Sequence, residues 1–280
     1  MRRIGLAAFL AFALIGVGCH QKDEHAGHTP TSTEATPPSD PSLDPKPAAA
    51  PPITFPSAQG EASGYLAVPT VEGKKPALIV IQEWWGVDDW IRSQADRFAQ
   101  QGYVTLAVDL YRGKVAGSME EAHELSRGLP EDRVMADLKA GIDYLSQRPD
   151  VDPQRIGVVG WCLGGGYALA LATSDPRPKA TVINYGRLVT DRDALTKIRG
   201  PILGNFGGAD RGIPAEDVKK FGQELTKYGK LGDIKIYDGA GHAFMNPNNK
   251  QGYNAAAAQD ATARIDGFFD RNLRANMPNS

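Results

Sequence analysis

One short stretch constrains the fold of this chain more than any other: Arg155-Ile156-Gly157-Val158-Val159-Gly160-Trp161-Cys162-Leu163-Gly164-Gly165-Gly166. A brief apolar run enters a Gly-x-Cys-x-Gly turn. A helix of small residues, Tyr167-Ala168-Leu169-Ala170-Leu171-Ala172, follows it. A strand that turns this sharply into a helix strains the central residue and leaves no room for side chains two positions away, hence glycine at 160 and 164. The turn would hold the Cys162 thiol up and exposed. It would also set the Leu163 N–H at a helix N-terminus, where a developing negative charge is stabilised. Read alone, the same residues also suit a buried structural cysteine, because a free thiol packs well as a small hydrophobe.

The surrounding pattern alternates strands with helices. Ile53 to Phe55 and Gly64 to Val68 read as an antiparallel pair. Pro76 to Ile81 is continuously apolar, as a strand buried on both faces must be. Ile91 to Gln101 has helical periodicity and stops at Gly102, and Val104 to Val108 is the next strand. Val134, Leu138, Ile142 and Leu145 share a helical face after Pro130. Beyond the elbow, Thr181 to Tyr185, Ile202 to Phe206 and Ile234 to Tyr237 read as strands. Val218 to Tyr228 and Ala255 to Leu273 read as helices, the last burying Ile265, Phe268 and Phe269. Such alternation implies an α/β fold with a mostly parallel sheet covered on both faces. Its active site is expected at the carboxyl ends of the strands.

The residues with chemical potential fall at those ends. Glu83 follows the strand ending at Ile81, Cys162 follows Val159-Gly160, Asp210 follows Phe206-Gly207-Gly208-Ala209, and His242 follows Tyr237-Asp238-Gly239-Ala240-Gly241. The order nucleophile, acid, histidine is that of the α/β-hydrolase arrangement. A histidine partner can draw the proton from a thiol, and an aspartate can fix the imidazole tautomer. Singly, Asp210 also reads as a turn residue, His242 as a loop histidine, and Glu83 as a helix cap or a partner of Arg92. Three residue types in this order, each one loop past a strand, make those readings weak in combination.

The amino end is different in kind. Arg2-Arg3, an apolar run from Ile4 to Val17 and Gly18-Cys19 resemble a secretory signal, residues 1–19, with a lipobox-like cysteine. Cys19 would then carry lipid; ordinary signal cleavage and an uncleaved anchor stay open, since Gly16 stands where that pattern prefers leucine. The expected location is the bacterial cell envelope, lipid-anchored or otherwise periplasmic or secreted. Residues 20–52 are rich in Pro, Ala, Ser and Thr and read as a disordered tether before a catalytic domain over 53–280. Its histidines, His20, His25 and His28, have nothing nearby to fix a metal geometry. A formal net charge of −2 gives no electrostatic case for nucleic acid. With Cys19 assigned to lipid, Cys162 is the single thiol of the folded part.

Taken together, Gln82-Glu83-Trp84-Trp85-Gly86-Val87, Asp109-Leu110-Tyr111, Gly160-Trp161-Cys162-Leu163-Gly164-Gly165, Gly208-Ala209-Asp210 and Gly241-His242-Ala243-Phe244 resemble the dienelactone hydrolase (carboxymethylenebutenolidase) family. The resemblance runs from about Phe55 to Phe269. It implies an α/β-hydrolase fold and a Cys162–His242–Asp210 triad that cleaves a lactone or activated ester through a thioester, without metal or organic cofactor. It implies that Glu83 holds the resting thiol and that the oxyanion donors are the backbone N–H groups of Trp84 and Leu163. Family members that cleave dienelactone grip its carboxylate with arginines. Here the corresponding stretches, His242 to Pro247 and Gly117 to His123, contain none. Arg112 or His123 are the candidate substitutes. Trp84, Trp85 and Trp161, with Phe244, are candidate walls of a pocket for an apolar or aromatic acyl group, although core packing accounts for tryptophans equally well. The competing class is a catalytically idle envelope protein that binds a small ligand or partner on the same fold.

Overall fold

The computed structural model describes residues 52–274. The signal-like segment with Cys19, and the tether apart from Pro52, lie outside the described residues. Eight strands form one sheet in the order β1-β2-β4-β3-β5-β6-β7-β8. They are β1 (Ile53–Ser57), β2 (Gly60–Ala67), β3 (Lys75–Ile81), β4 (Val104–Val108), β5 (Val151–Trp161), β6 (Ala180–Asn184), β7 (Ile202–Gly207) and β8 (Gly232–Tyr237). β2 pairs antiparallel with both β1 and β4, and every other pairing is parallel. The expected amino-terminal pair is therefore present, with Phe55 opposite Ala62.

The helices are α1 (Asp89–Gln100), α2 (Met119–Arg127), α3 (Glu131–Gln147), α4 (Leu163–Ser174), α5 (Arg192–Leu195), α6 (Ala215–Lys227) and α7 (Ala255–Phe269). They cover both faces of the sheet, and the strand alternation shows how. Leu78 and Val80 of β3 pack with Ile91 and Phe98 of α1 and with Ile265 and Phe269 of α7. Ala77, Ile79 and Ile81 turn the other way, onto Val134, Leu138 and Ile142 of α3 and Ala168 and Leu171 of α4. Every residue of β3 is buried, which is why its sequence runs apolar without alternating. α1 starts where it does because the Asp88 side chain accepts from the Ile91 amide at 2.9 Å.

Chain order places the crevice. From β3 the chain moves to β4 on one side, then returns to β5 on the other. The carboxyl ends of β3 and β5 therefore flank a point where the winding reverses, the usual seat of a binding site in such sheets. The turn between β5 and α4 is as tight as its glycines require. Cys162 sits at φ 53° and ψ −116°. A Cβ on Gly160 would fall 2.0 Å from the Gly164 carbonyl oxygen, and one on Gly164 only 2.3 Å from that of Ile81. The first turn of α4 is thus pressed directly against the end of β3. Both obstacles are backbone, so neither can move aside cheaply. Gly164→Ala is expected to cost about 3 kcal/mol or more. Thermal melting of the soluble variant, or its failure to accumulate, checks this.

Candidate active site

The loops after β5, β7 and β8 bring Cys162, Asp210 and His242 into one line. His242 Nε2 lies 3.1 Å from Cys162 Sγ, and its Nδ1 lies 2.7 Å from Asp210 Oδ2. A carboxylate only accepts, so Nδ1 carries a proton and Nε2 is left facing the sulfur. Asp210 is 5% exposed, and its other oxygen accepts from the amides of Gly212 and Ile213 at 2.8 and 3.1 Å. Burial works against its charge, but the His242 bond and these amides outweigh it and hold the carboxyl below its usual range. At His242, burial likewise favours the neutral ring. The bonds to Asp210 and Cys162 overcome it and lift the imidazole to about 10. The arrangement thus favours the imidazolium that forms once Nε2 has taken a proton.

The backbone around this line is strained. Among the described residues, Cys162, Tyr185 and Ala243 are three of the four non-glycine residues with positive φ; the fourth is Arg112. Tyr185 follows β6, and its ring meets the His242 ring edge-on at 5.4 Å. The Asn249 side chain donates to the His242 carbonyl at 3.0 Å and steadies the loop on its far side.

Glu83 is 2% exposed. Its hydrogen-bonded partner is Asn246, which donates to Oε2 at 2.7 Å. The thiol is engaged by His242 instead, so the expected Glu83–thiol contact is absent from this arrangement. Burial dominates the ionisation of Glu83 and pushes it up to about 7, against the lowering effect of Asn246. The buried Tyr185 hydroxyl lies near enough to act on Glu83 as a second, weaker donor, although neither it nor Oε1 makes a hydrogen bond of standard geometry among the described residues. Asn246 and Tyr185 escaped the sequence reading, although Tyr185 closes a predicted strand and Asn246 lies in the stretch that lacks an arginine.

The N–H groups of Trp84 and Leu163 donate to no acceptor among the described residues, whereas the Trp84 carbonyl is fixed by the Tyr111 hydroxyl at 2.9 Å. Trp84 and Trp85 are half-buried with ring centroids 5.1 Å apart, and exposed His123 from α2 stands edge-on to Trp84 at 4.7 Å. These three side chains form one aromatic group beside Glu83.

Comparison with known proteins identifies the family. The model of the "Dienelactone hydrolase family" matches residues 62–273. The chain belongs to the dienelactone hydrolase family. A Synechocystis protein named "Putative carboxymethylenebutenolidase" is 35% identical over 239 residues, covering 79% of this chain and 96% of its own. A protein of the same name from Methylorubrum extorquens is 33% identical over 231 residues, covering 78% of this chain and 79% of its own. A crystal structure titled as a dienelactone hydrolase from Klebsiella pneumoniae, also qualified there as "Putative", superposes with a TM-score of 0.72. It is 29% identical and covers 79% of this chain and 98% of its own. The eight-stranded, mostly parallel sheet is the α/β-hydrolase fold of that family.

Three expected pocket residues of this family member lie elsewhere. Trp161 is fully buried and packs edge-on against Trp90 at 5.4 Å, on the sheet face covered by α1 and α7. Phe244 is also fully buried, between Tyr185 and Tyr237. Both are core residues. Arg112 reaches both oxygens of the buried Asp137 carboxylate at 3.1 Å and the Gln59 carbonyl at 3.0 Å. Its guanidinium is committed to the fold and is not a free cation for a substrate carboxylate.

The Glu83 ionisation has a measurable consequence. Below pH 4.5 the carboxyl keeps its proton in both folded and unfolded chains. Between 4.5 and about 7 only the folded chain keeps it, so stability falls as pH rises through that window, and the full cost persists above it. Glu83→Gln is therefore expected to be the more stable protein at pH 8, by up to about 3 kcal/mol. The advantage should shrink as pH falls and be gone near pH 4.5. Denaturant unfolding of both proteins across this range is the check.

Proposed function

We propose that this family member is a cysteine-dependent hydrolase of lactones or activated esters that works through a thioester. The observation carrying the proposal is the continuous line from Asp210 through His242 to Cys162, at 2.7 and 3.1 Å. Family membership makes an ester or lactone the expected small-molecule substrate.

The Cys162 thiol gives its proton to His242 Nε2, and the thiolate adds to the substrate carbonyl. Carbon–sulfur bond formation pushes the carbonyl electrons onto oxygen. The free amides of Leu163, at the first position of α4, and Trp84 stabilise that oxyanion, each donor contributing roughly 3 kcal/mol in sites of this kind. Collapse breaks the carbon–oxygen ester bond, and the leaving alkoxide or enolate takes the proton from His242. A lactone opens without losing a fragment. Water, deprotonated by His242, then attacks the thioester; the carbon–sulfur bond breaks, the acid is released, and the thiolate regains its proton from His242. Asp210 holds the ring so that Nε2 serves each proton transfer. Thiolate is a good leaving group from a tetrahedral intermediate, so substrates whose alcohol leaves easily are favoured.

The Trp84–Trp85 pair, in the segment after Glu83, supports an apolar or aromatic acyl group. The engagement of Arg112 argues against its holding a substrate carboxylate. The proposal extends to location: the signal-like segment and Cys19 favour export and lipid anchoring to the cell envelope. Cys162→Ala is expected to lower turnover of p-nitrophenyl acetate by at least about a thousandfold with an unchanged circular dichroism spectrum. Undiminished turnover would reject the nucleophile. Asp210→Asn, which lets the ring present the wrong tautomer, is expected to lower kcat by about a hundredfold or more.

A further inference from the structure

Two asparagines are buried completely within the sheet, near the carboxyl ends of neighbouring strands, a place that disfavours their side chains. Asn184 ends β6 and Asn205 lies beside it in register on β7. Asn205 Nδ2 donates to Asn184 Oδ1 at 2.8 Å, and Asn184 Nδ2 donates to the Gly160 carbonyl at 3.2 Å. At the other end Arg264 of α7 donates to Asn205 Oδ1 and is itself held by Asp233 at 2.6 Å. The direction of this chain follows from its end. A guanidinium has no acceptor, so Asn205 must show it oxygen and turn its amino group to Asn184. Asn184 must then accept on that side and donate on the other, to Gly160.

Gly160 stands two residues before the sulfur. The Asn184 main chain takes the other side of the turn, its carbonyl accepting from the Cys162 amide at 3.0 Å. One residue therefore grips the elbow both before and at its strained centre. β5 carries Cys162, β6 leads to Tyr185 against His242, and β7 leads to Asp210. The hydrogen-bonded row crosses all three strands near the ends from which these residues emerge.

We propose that Asn184, Asn205 and Arg264 are positioning residues: a one-way hydrogen-bond chain, polarised by the Arg264 cation, that holds Cys162 in attacking geometry against His242. None of the three touches substrate. The proposal rests on Cys162 being the nucleophile, and it deepens that reading by assigning the turn's geometry to a buried polar row as well as to glycine packing. Linked donors of this kind strengthen one another in a low-dielectric interior.

The test uses the full-length protein and follows iodoacetamide alkylation at the Cys162 peptide by mass spectrometry across pH, beside p-nitrophenyl acetate kinetics. Arg264→Met removes the donor from a side chain that is 17% exposed and keeps much of its apolar stem. Asn205→Leu breaks the row at its middle, and Arg264→Lys restores a donor. Arg264→Met is expected to melt cooperatively and to alkylate about tenfold more slowly at neutral pH, with its pH midpoint moved upward. Its kcat should fall similarly while KM stays within about twofold, and Arg264→Lys should recover most of both. Asn205→Leu should match Arg264→Met if it folds; if it does not, the two arginine variants decide. Wild-type alkylation and kcat in folded Arg264→Met overturn the proposal. So does an Arg264→Lys protein as impaired as Arg264→Met. Hydrolysis that survives Cys162→Ala would overturn the nucleophile reading instead, and the alkylation profiles would still report whether the row positions the sulfur.

Discussion

The approach of α4 to the sheet governs the rest of this protein. Backbone meets backbone there, with no side chains between: the Gly164 Cα faces the Ile81 and Gln82 carbonyls at distances that exclude a Cβ. That contact sets the end of β3, and hence Glu83 and Trp84, against the first turn after Cys162. A helix packed through side chains would stand farther off, by the thickness of the side chains between. The small-residue composition of α4 is the same requirement continued along the helix.

Around this contact two carboxyl groups are treated in opposite ways. Asp210 is given an imidazole and two amides and stays ionised. Glu83 receives one short amide bond and a weaker influence from the Tyr185 hydroxyl at full burial, and is lifted to about 7. One carboxylate supplies a fixed negative charge to the histidine, while the other stores a proton that it can release near neutral pH. Burial creates this difference, and Asn246 only moderates it. A cation in its place would hold Glu83 ionised; the neutral amide satisfies one oxygen without neutralising the charge.

The fold and the line of Cys162, His242 and Asp210 were legible because both rest on local rules. Apolar runs, helix periodicity and turn glycines located the strands, and the strand-end rule then pointed to Cys162, Asp210 and His242. The side chains misjudged as pocket walls depended on direction, which composition does not encode. Trp161 is the last strand residue, and alternation sends it to the face under α1. Phe244 is turned inward after the positive φ of Ala243. Arg112, in the turn after β4, is held by Asp137, 25 residues later on α3. The Glu83–Asn246 bond joins residues 163 positions apart, and no periodicity anticipates such a pairing.

The buried asparagines mark the border between these two kinds of information. Their positions at strand ends were visible, and asparagine inside an apolar strand is a local inconsistency of the sort that accompanies function. Their meaning required the partners at both ends, because a cation that cannot accept on α7 and a Gly160 carbonyl that cannot donate together give the row one direction. Glycine packing fixes how near the helix comes to the sheet. It leaves open how the turn is rotated about its own strand, and a hydrogen-bonded row that fastens Gly160 and Cys162 to β6 removes that freedom. The strain at Cys162 then persists because contacts on both sides of the residue over-determine it.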